Sequence, residues 1–294
     1  MKGFRLDGGT IFRLILYLVL FGAAFLCLFP IVHILALSLS SRAAVTNGLV
    51  TLWPVDFSFK SYEYILSRQE FYRAFFVSIM RTALGVPINL FFIVTAAYPL
   101  SKYNRDFPQR NFYAWFFVLT IMLTPALVPW YMTIRQFGLI DSIWALVLPG
   151  AVPVFSMLIV MNYFRAIPKE MEESALAEGA NHWQILFRIY IPLAMPAIAT
   201  VTLFSMVTHW NAWFDGLLLM NDPNNYPLQS YLQTVVVRPD SALMSARQMK
   251  EMAEVSNRTV KAAQLFVAML PMMIIYPFIQ KYFTTGILLG GVKE

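Results

Sequence analysis

The sequence is poor in the residues that build disulfides and metal sites. Its 294 residues include one cysteine, Cys27, and three histidines, His33, His182 and His209. A single cysteine excludes an internal disulfide and a cysteine-based metal cluster, so we expect its thiol to act as a small apolar side chain. The histidines form no His-x-x-x-His or Glu-x-x-His pair, and we therefore expect no metal site.

Catalytic motifs are missing as well. The sequence contains no Gly-x-x-x-x-Gly-Lys-Ser/Thr loop for nucleotide phosphates and no Gly-x-Ser-x-Gly nucleophile motif. Gly286 and Gly291 have the spacing of a phosphate loop, but Val292 stands where the lysine is required. We therefore predict no catalytic residue and no cofactor bound by this chain.

Charge is scarce, and apolar residues are abundant. Only 13% of the residues are charged and 59% are hydrophobic, against about 25% and about 45–50% in a soluble domain. Six long runs contain no Asp, Glu, Lys or Arg. A helix that spans a bilayer needs about 20 consecutive residues that are mostly apolar and free of charge, so each run can form one span. The sequence predicts an all-α polytopic membrane protein with one domain over residues 1–294. Its six transmembrane helices are predicted at about 14–39, 76–100, 112–134, 143–164, 191–215 and 262–283.

The distribution of basic residues indicates an orientation. The net charge of +6 comes from residues spread between the apolar runs, which argues against a nucleic-acid surface and suits the flanks of membrane helices. Three basic residues precede the first span, and three lie in the loop 101–110. The positive-inside rule therefore predicts cytoplasmic N and C termini, a cytoplasmic loop at 165–190, and outer loops at about 42–70 and 216–261.

The outer loops carry turn signals. Pro54 and Asp56 predict a turn before a short interfacial helix, and the sequence Asp222-Pro223-Asn224-Asn225 predicts turns before a short helix or strand. The second outer loop also holds five basic residues, which is contrary to the trend, although long loops count for less in the rule. An outer loop of this length is typical of a lid or a docking surface. These five residues are Arg238, Arg247, Lys250, Arg258 and Lys261.

Prolines recur inside the predicted spans. Each removes a backbone donor and can kink a helix. The pattern is consistent either with irregular helix packing or with a bundle that changes shape. These prolines are Pro87, Pro99, Pro125, Pro129, Pro149, Pro153, Pro192, Pro196, Pro271 and Pro277.

A polar stretch over 168–192 separates the fourth and fifth predicted spans. Pro168 suits the first position of a helix, and the three glutamates that follow suit its positive end. Gly179 fits the left-handed conformation that ends a helix, and Asn181 can cap a second helix over 182–190. The pattern predicts two short helices at the cytoplasmic surface, which are either a connector or a docking element for a cytoplasmic partner.

The spacing in this stretch resembles the coupling motif of binding-protein-dependent ABC importer permeases. That motif reads Glu-Ala-Ala, three residues, Gly, nine residues, Ile-x-Leu-Pro. Two positions depart from it, because Ser174 replaces an alanine and Ile191 replaces a leucine. The residues that carry the resemblance are Glu173, Ser174, Ala175, Gly179, Ile189 and Pro192.

Other segments are similar to the carbohydrate branch of that family, in particular to its maltose-type second permease. They are "AAYPLSKY" (96–103), "GLIDSIWALVLP" (138–149), "FRAIPKEMEESA" (164–175), "WNAWFD" (210–215) and "GILLGGVKE" (286–294). The segment at 256–283 resembles the branch that imports polysaccharides and larger oligosaccharides, alginate among them. The resemblance covers nearly the whole chain.

The resemblance implies a transport subunit without enzymatic activity of its own. It implies a second, related permease, two ATPase subunits that bind ATP and Mg, an extracytoplasmic solute-binding protein, and the bacterial cytoplasmic (inner) membrane. The helix from Glu173 to Gly179 would dock on an ATPase subunit. The tail 286–294 would reach between the ATPase subunits, and the loop 221–260 would enter the binding protein.

Candidate residues for a sugar pathway come from the residue types that bind sugars, namely aromatic faces and hydrogen-bonding side chains. Trp210 could instead belong to an aromatic belt at the membrane interface, and Asp215 could simply mark the end of a span. An arginine in the second span could face an anionic substrate or another helix. The candidates are Trp210, Asn211 and Asp215 in the fifth span, and Asn89, Tyr98 and Arg81 in the second.

Two other functions compete with the importer subunit. One is a self-contained secondary transporter or channel without an ATPase partner, and the other is a membrane-embedded enzyme. Both usually need a chain of ionisable groups inside the membrane, and the sequence offers little beyond Asp215 and Arg81.

Overall fold

The computed structural model describes residues 8–123, 125–237 and 257–290, and within these ranges the chain is helical and contains no β-strand. The prediction of an all-α chain is confirmed for this part. The helices are α1 (Gly8–Ser38), α2 (Arg42–Thr46), α3 (Lys60–Leu66), α4 (Gln69–Ser101), α5 (Arg110–Met122), α6 (Leu127–Gln136), α7 (Ile143–Val147), α8 (Val154–Arg165), α9 (Lys169–Ala177), α10 (His182–Ile185), α11 (Ile191–Leu193), α12 (Met195–Asn211), α13 (Phe214–Leu219), α14 (Leu228–Leu232) and α15 (Asn257–Gly290).

Three of the helices contain continuous segments long and apolar enough to cross a bilayer. These segments are Ile11–Ser38, Gln69–Ser101 and Arg258–Lys281. The helices that hold them all contain proline and still remain unbroken. The predicted second span is extended at its start, because its helix begins at Gln69 rather than at residue 76.

The other three predicted spans are pairs of helices that meet at a bend. The bend is 47° between Ile143–Gly150 and Val154–Arg165, and 84° between His182–Leu193 and Met195–Asn211. The third pair is α5 with α6. A proline lies in or next to each break, where the missing backbone donor weakens the helix. The described residues therefore contain three unbroken candidate spans, or six when each bent pair counts as one.

The chain divides into two compact units. The first contains residues 1–69 and 235–270, and the second contains residues 70–234 and 271–294. In the first unit, Ala36, Ala44, Val45 and Val50 form a small buried cluster. Most of α1 is exposed along its length although it is apolar, which suits a helix that faces lipid.

The core of the second unit is built on one face of α4. The buried residues of this face recur every three or four positions, as expected for a helix that packs on one side. The C-terminal part of the face packs with α8, with α12 and with the segment 185–194 into the main hydrophobic cluster. The N-terminal part of the face is more polar. The buried residues of the whole face include Phe71, Ala74, Ser78, Arg81, Gly85, Asn89, Ile93 and Ala97.

The predicted loops contain the expected short elements where the structure describes them. In the first outer loop, α3 (Lys60–Leu66) follows the turn at Asp56. In the second, the 3₁₀ turn Pro223–Asn225 precedes α14. Three of the basic residues that the sequence placed in this loop, Arg238, Arg247 and Lys250, lie outside the described residues, as does the end of the tail, 291–294.

Candidate functional site

The first short helix of the polar stretch is α9, and it ends as the sequence predicts. Gly179 has a φ of +86°. Its N–H donates to the carbonyl of Leu176 (3.0 Å), and the N–H of Ala180 donates to the carbonyl of Ala175 (2.9 Å). This pair of bonds is the Schellman motif, which needs a left-handed residue at that position. At the other end of α9, Pro168 is the residue before the helix rather than its first residue.

The second short helix is well capped but does not continue as a regular α-helix. Asn181 Oδ1 accepts from Gln184 N, and Gln184 Oε1 accepts from Asn181 N, both at 2.9 Å. The sequence predicted one helix over 182–190, whereas the structure changes to π-helical turns at Leu186–Tyr190. Pro192 supplies no N–H to the helix ladder, and the wider turns directly precede its segment.

The six residues that resemble the coupling motif divide into two groups. Glu173, Ser174, Gly179 and Pro192 are exposed. The other two, Ala175 and Ile189, are half-buried and pack against the main hydrophobic cluster. The motif therefore combines four exposed residues with two apolar residues that attach it to the core.

Apolar side chains extend the exposed surface beside α9. Leu176 is 44% exposed, Trp183 59% and Phe187 56%. The rings of Trp183 and Phe187 stack, with their centroids 6.1 Å apart and their planes at 17°. Exposed aromatic and aliphatic side chains next to exposed carboxylates are typical of a contact surface for another protein.

A buried charged network lies directly behind this surface. Lys102 follows the end of α4, and its Nζ lies 2.5 Å from Glu172 Oε1 and 3.1 Å from Tyr190 Oη. Tyr190 Oη donates to Glu172 Oε2 at 2.6 Å. Burial lowers the pKa of Lys102 although Glu172 acts to raise it. Burial acts to raise the pKa of Glu172, but hydrogen bonds from Lys102 and Tyr190 hold it below its usual value.

An open cavity of about 750 Å³ adjoins this network. Its lining includes Tyr98, Lys102, Glu172, His182 and Tyr190. The sequence proposed Tyr98 as a lesser residue of the sugar pathway. The structure places it here, where its hydroxyl lies 3.1 Å from His182 Nδ1.

A second cavity, of about 330 Å³, lies along the middle of α4. It brings together three of the six pathway candidates, Arg81, Asn89 and Asp215. Arg81 and Asp215 form a two-pronged ion pair, in which Nη1 lies 3.1 Å from Oδ1 and Nη2 contacts Oδ2. The side chain of Arg81 is 4% exposed and that of Asp215 is 20% exposed. Such a pair is stable in an apolar surrounding only with this geometry.

Asn89 is the centre of a polar group in the same cavity. We orient its amide so that Oδ1 accepts from Ser205 Oγ (2.8 Å) and His209 Nε2 (3.3 Å), and Nδ2 donates to the carbonyls of Gly85 and Gly150 (both 3.2 Å). Ser205 and His209 were not among the sequence candidates. They stand on α12, so only the fold brings them to Asn89.

Gly85 allows α4 and α12 to approach closely. A Cβ atom at this position would meet the imidazole of His209 at 2.4–2.7 Å. No carbon atom fits at that distance, so a side chain here would displace His209 and the cavity wall.

Trp210 and Asn211 do not line the cavity. Trp210 is buried and packs edge-on against Phe75, with ring centroids 5.8 Å apart. Asn211 is exposed at the last position of α12. Both remain predictions for the pathway, but only Asp215 of the three fifth-span candidates contributes to the cavity lining.

A carboxylate also organises the opposite loop region of the second unit. Asp141, at a φ of +61°, accepts hydrogen bonds through Oδ1 from the backbone of Asn221 and Asp222 and from Asn225 Nδ2. The hydrogen bond from Asn225 is the largest cause of its lowered pKa. These bonds fix the start of the loop that follows α13.

Comparison with known proteins gives one family. Residues 64–288 match the model of the family described as "Binding-protein-dependent transport system inner membrane component". The chain is 35% identical over 283 residues to the polygalacturonan/rhamnogalacturonan transport system permease protein YtcP of Bacillus subtilis (strain 168), covering 96% of this chain and 98% of that protein.

Two solved structures are similar as well. A chain of a bacterial ABC transporter involved in the import of the acidic polysaccharide alginate superposes with a TM-score of 0.87 at 33% identity, covering 96% of this chain and 100% of that one. A chain of a bacterial alginate ABC transporter in complex with an alginate pentasaccharide-bound periplasmic protein has a TM-score of 0.56 at 14% identity, covering 94% and 96%, and so shares the fold.

Proposed function

The chain belongs to the family of binding-protein-dependent transport system inner membrane components, and on this basis we propose that it imports oligosaccharides derived from acidic polysaccharides. As a member of this family it is a permease subunit of an ABC importer that works with a solute-binding protein. The acidic substrate class is supported by the similarity to a chain of the transporter involved in the import of alginate and to the polygalacturonan/rhamnogalacturonan permease protein.

We assign the three bent helix pairs and the three unbroken helices to six spans, with both termini in the cytoplasm and the chain in the bacterial inner membrane. The basic residues before α1 and in the loop 101–110 support this orientation. It places α9 and its exposed surface in the cytoplasm. It places Asp141 and the loop after α13 on the outer side, where the solute-binding protein docks.

The partners on the cytoplasmic side are two ATPase subunits, and a second related permease completes the pathway. ATP and Mg bind to the ATPase subunits, and this chain binds no cofactor. The helix α9, with Glu173, Ser174 and Gly179 exposed, docks on one ATPase subunit. Binding of ATP shifts the population of the permease from inward-facing to outward-facing states, because the docked helix moves with the ATPase.

The substrate pathway passes the cavity of Arg81, Asn89 and Asp215. The amide of Asn89 and the hydroxyls of Ser205 and Ser156 offer the hydrogen bonds that sugars need, and Trp130 offers an aromatic face. The guanidinium of Arg81 is the buried cation of this lining. It is paired with Asp215 in the same lining, so the pair adds no net charge, and the preference for acidic sugars rests on the similarity to the alginate transporter chain.

Uptake by the reconstituted importer tests this function. We expect proteoliposomes with the two permeases, the ATPase subunits and the solute-binding protein to take up uronate oligosaccharides when ATP is supplied. The uptake rate of neutral oligosaccharides of equal length should be lower by a factor of roughly ten or more. A factor of ten corresponds to a free-energy difference of only about 1.4 kcal/mol between the two sugar classes. Equal uptake of both classes would contradict the acidic substrate class and leave the importer assignment intact.

A further inference from the structure

The network behind α9 connects three segments of the chain through one ammonium group. Lys102 Nζ bonds to Glu172 on α9 and to Tyr190 in the π-helical segment, and Lys102 itself follows the last residue of α4. The triangle is closed by the bond from Tyr190 Oη to Glu172 Oε2. We call Lys102, Glu172 and Tyr190 the inner clamp.

Aromatic rings hold the ammonium group of the clamp from two sides. Lys102 Nζ lies 3.9 Å from the ring centroid of Tyr98 and 4.3 Å from that of Tyr190. The two rings meet edge to face, with centroids 5.0 Å apart, and Phe164 packs edge-on against Tyr190 at 5.3 Å. Cation–π contacts and a carboxylate together restrict the lysine to one position.

The ion pair of the clamp borders the open cavity, but most of its surface is covered by protein. The side chain of Lys102 is 12% exposed and that of Glu172 is 15% exposed. An exposed lysine–glutamate pair contributes little because water and salt screen it, whereas a shielded pair resists separation strongly once one partner is displaced. A displacement of α9 is therefore transmitted to α4 as long as the ion pair between Lys102 and Glu172 stays intact.

The helix α4 can transmit this displacement to the cavity lined by Arg81 and Asn89. It is continuous from Gln69 to Ser101, with Tyr98 near its C-terminal end and with Asn89 and Arg81 in its middle part. At 1.5 Å per residue, Arg81 and Lys102 are roughly 30 Å apart along the axis. Arg81 contacts Asp215, and Asn89 contacts His209, so α4 bears the cavity lining directly.

From this geometry we infer that Lys102 and Glu172 are positioning residues that make α4 follow the coupling helix α9. The inference rests on the proposed function, since it assumes that an ATPase subunit moves α9. Glu172 precedes the residue that begins the coupling motif, and its carboxylate faces the protein rather than the partner. The clamp thus couples the docking surface to the substrate cavity through a single helix.

The ratio of sugar molecules imported to ATP molecules hydrolysed tests the inference in the complete importer. For Lys102→Met and for Glu172→Gln we expect this ratio to fall about fivefold or more, while ATP hydrolysis continues. The charge-swapped variant Lys102→Glu/Glu172→Lys should recover part of the ratio, because it restores an ion pair in the same place but without the cation–π contacts to Tyr98 and Tyr190. Glu170→Gln, an exposed carboxylate on the same helix, is the matched control and should keep the wild-type ratio.

A distance measurement separates positioning from a general structural role. Cys27 is the one cysteine of the sequence, so a Cys27→Ala background accepts spin labels at two chosen exposed positions, Phe91→Cys on α4 and Glu170→Cys at the start of α9, outside the docking segment. We expect the distance between the labels to stay constant when ATP binds to the importer. In Lys102→Met it should change or broaden, although the complex still assembles.

Each result then has one meaning. A wild-type importer without ATP-driven uptake overturns the proposed function itself. Normal uptake with an unchanged ratio in Lys102→Met overturns the clamp, as does a label distance that changes equally in wild type and variant. A ratio that falls in Glu172→Gln but not in Lys102→Met, without recovery in the charge-swapped variant, overturns it as well and assigns Glu172 to direct contact with the ATPase.

Discussion

Asp215→Ala is expected to destabilise the permease by about 3–5 kcal/mol, because it leaves the guanidinium of Arg81 buried without its carboxylate. The two residues differ in exposure, 4% for the side chain of Arg81 and 20% for that of Asp215. The reverse change, Arg81→Met, leaves the more accessible partner unpaired and should therefore cost less. Thermal unfolding of the purified importer in detergent, followed for both variants, measures the difference.

The double variant Arg81→Met/Asp215→Leu distinguishes folding from transport. Replacing both members of a buried ion pair with apolar residues is often neutral for stability. We expect its unfolding temperature to return close to that of the wild type, while uptake of uronate oligosaccharides stays low because the cavity has lost both hydrogen-bonding groups of the pair. Asp106→Ala, at an exposed aspartate, is the control and should change the stability by about 0.5 kcal/mol or less. Recovery of both stability and uptake would show that the pair has no part in the pathway.

Gly179→Asp is expected to separate ATP hydrolysis from transport without unfolding the chain. No atom lies within 4 Å of the place where a Cβ would stand, so the substitution costs only the strain of the positive φ, about 1–3 kcal/mol. The new side chain would project from the bend of the docking helix toward the ATPase. We expect the amount of sugar imported per ATP to fall roughly tenfold or more.

The structure offers a matched control for this variant. Gly138 has a φ of +68°, also has open space around the Cβ position, and ends α6 with the same pair of hydrogen bonds. Gly138→Asp therefore introduces the same charge and a similar strain on the proposed outer side. It should transport with the wild-type ratio, and an equal loss of coupling in both variants would attribute the effect of Gly179→Asp to backbone strain.

Local patterns in the sequence were sufficient to predict the conformation at the bend and at the cap of the polar stretch 168–192. The bend at Gly179 and the cap at Asn181 each depend on a few neighbouring residues, and the structure places both as predicted. The π-helical turns at Leu186–Tyr190 were not predicted, because apolar periodicity looks similar for wide and regular turns over so short a segment. The same limitation explains why three continuous spans were expected where the structure contains bent pairs.

Pairings between distant residues could not be predicted in this way. Arg81 and Asp215 were separate candidates, and the sequence left open whether Arg81 faces a substrate or a helix. The structure gives it a partner 134 positions away. Lys102 was interpreted only as a basic residue of a cytoplasmic loop, and its contact with Glu172 joins residues 70 positions apart. Hydrophobic periodicity indicates which face of a helix is buried but carries no information on which polar group it meets.

The central claim is that this chain transports sugar only when an ATPase moves its docking helix. The most direct measurement is uptake of labelled uronate oligosaccharide into proteoliposomes, with ATP inside the vesicles and the solute-binding protein outside, in the presence and absence of the ATPase subunits. The account predicts uptake with the ATPase subunits and none above background without them. Uptake by the permease without ATPase subunits, driven by an ion gradient, would contradict it and identify a secondary transporter.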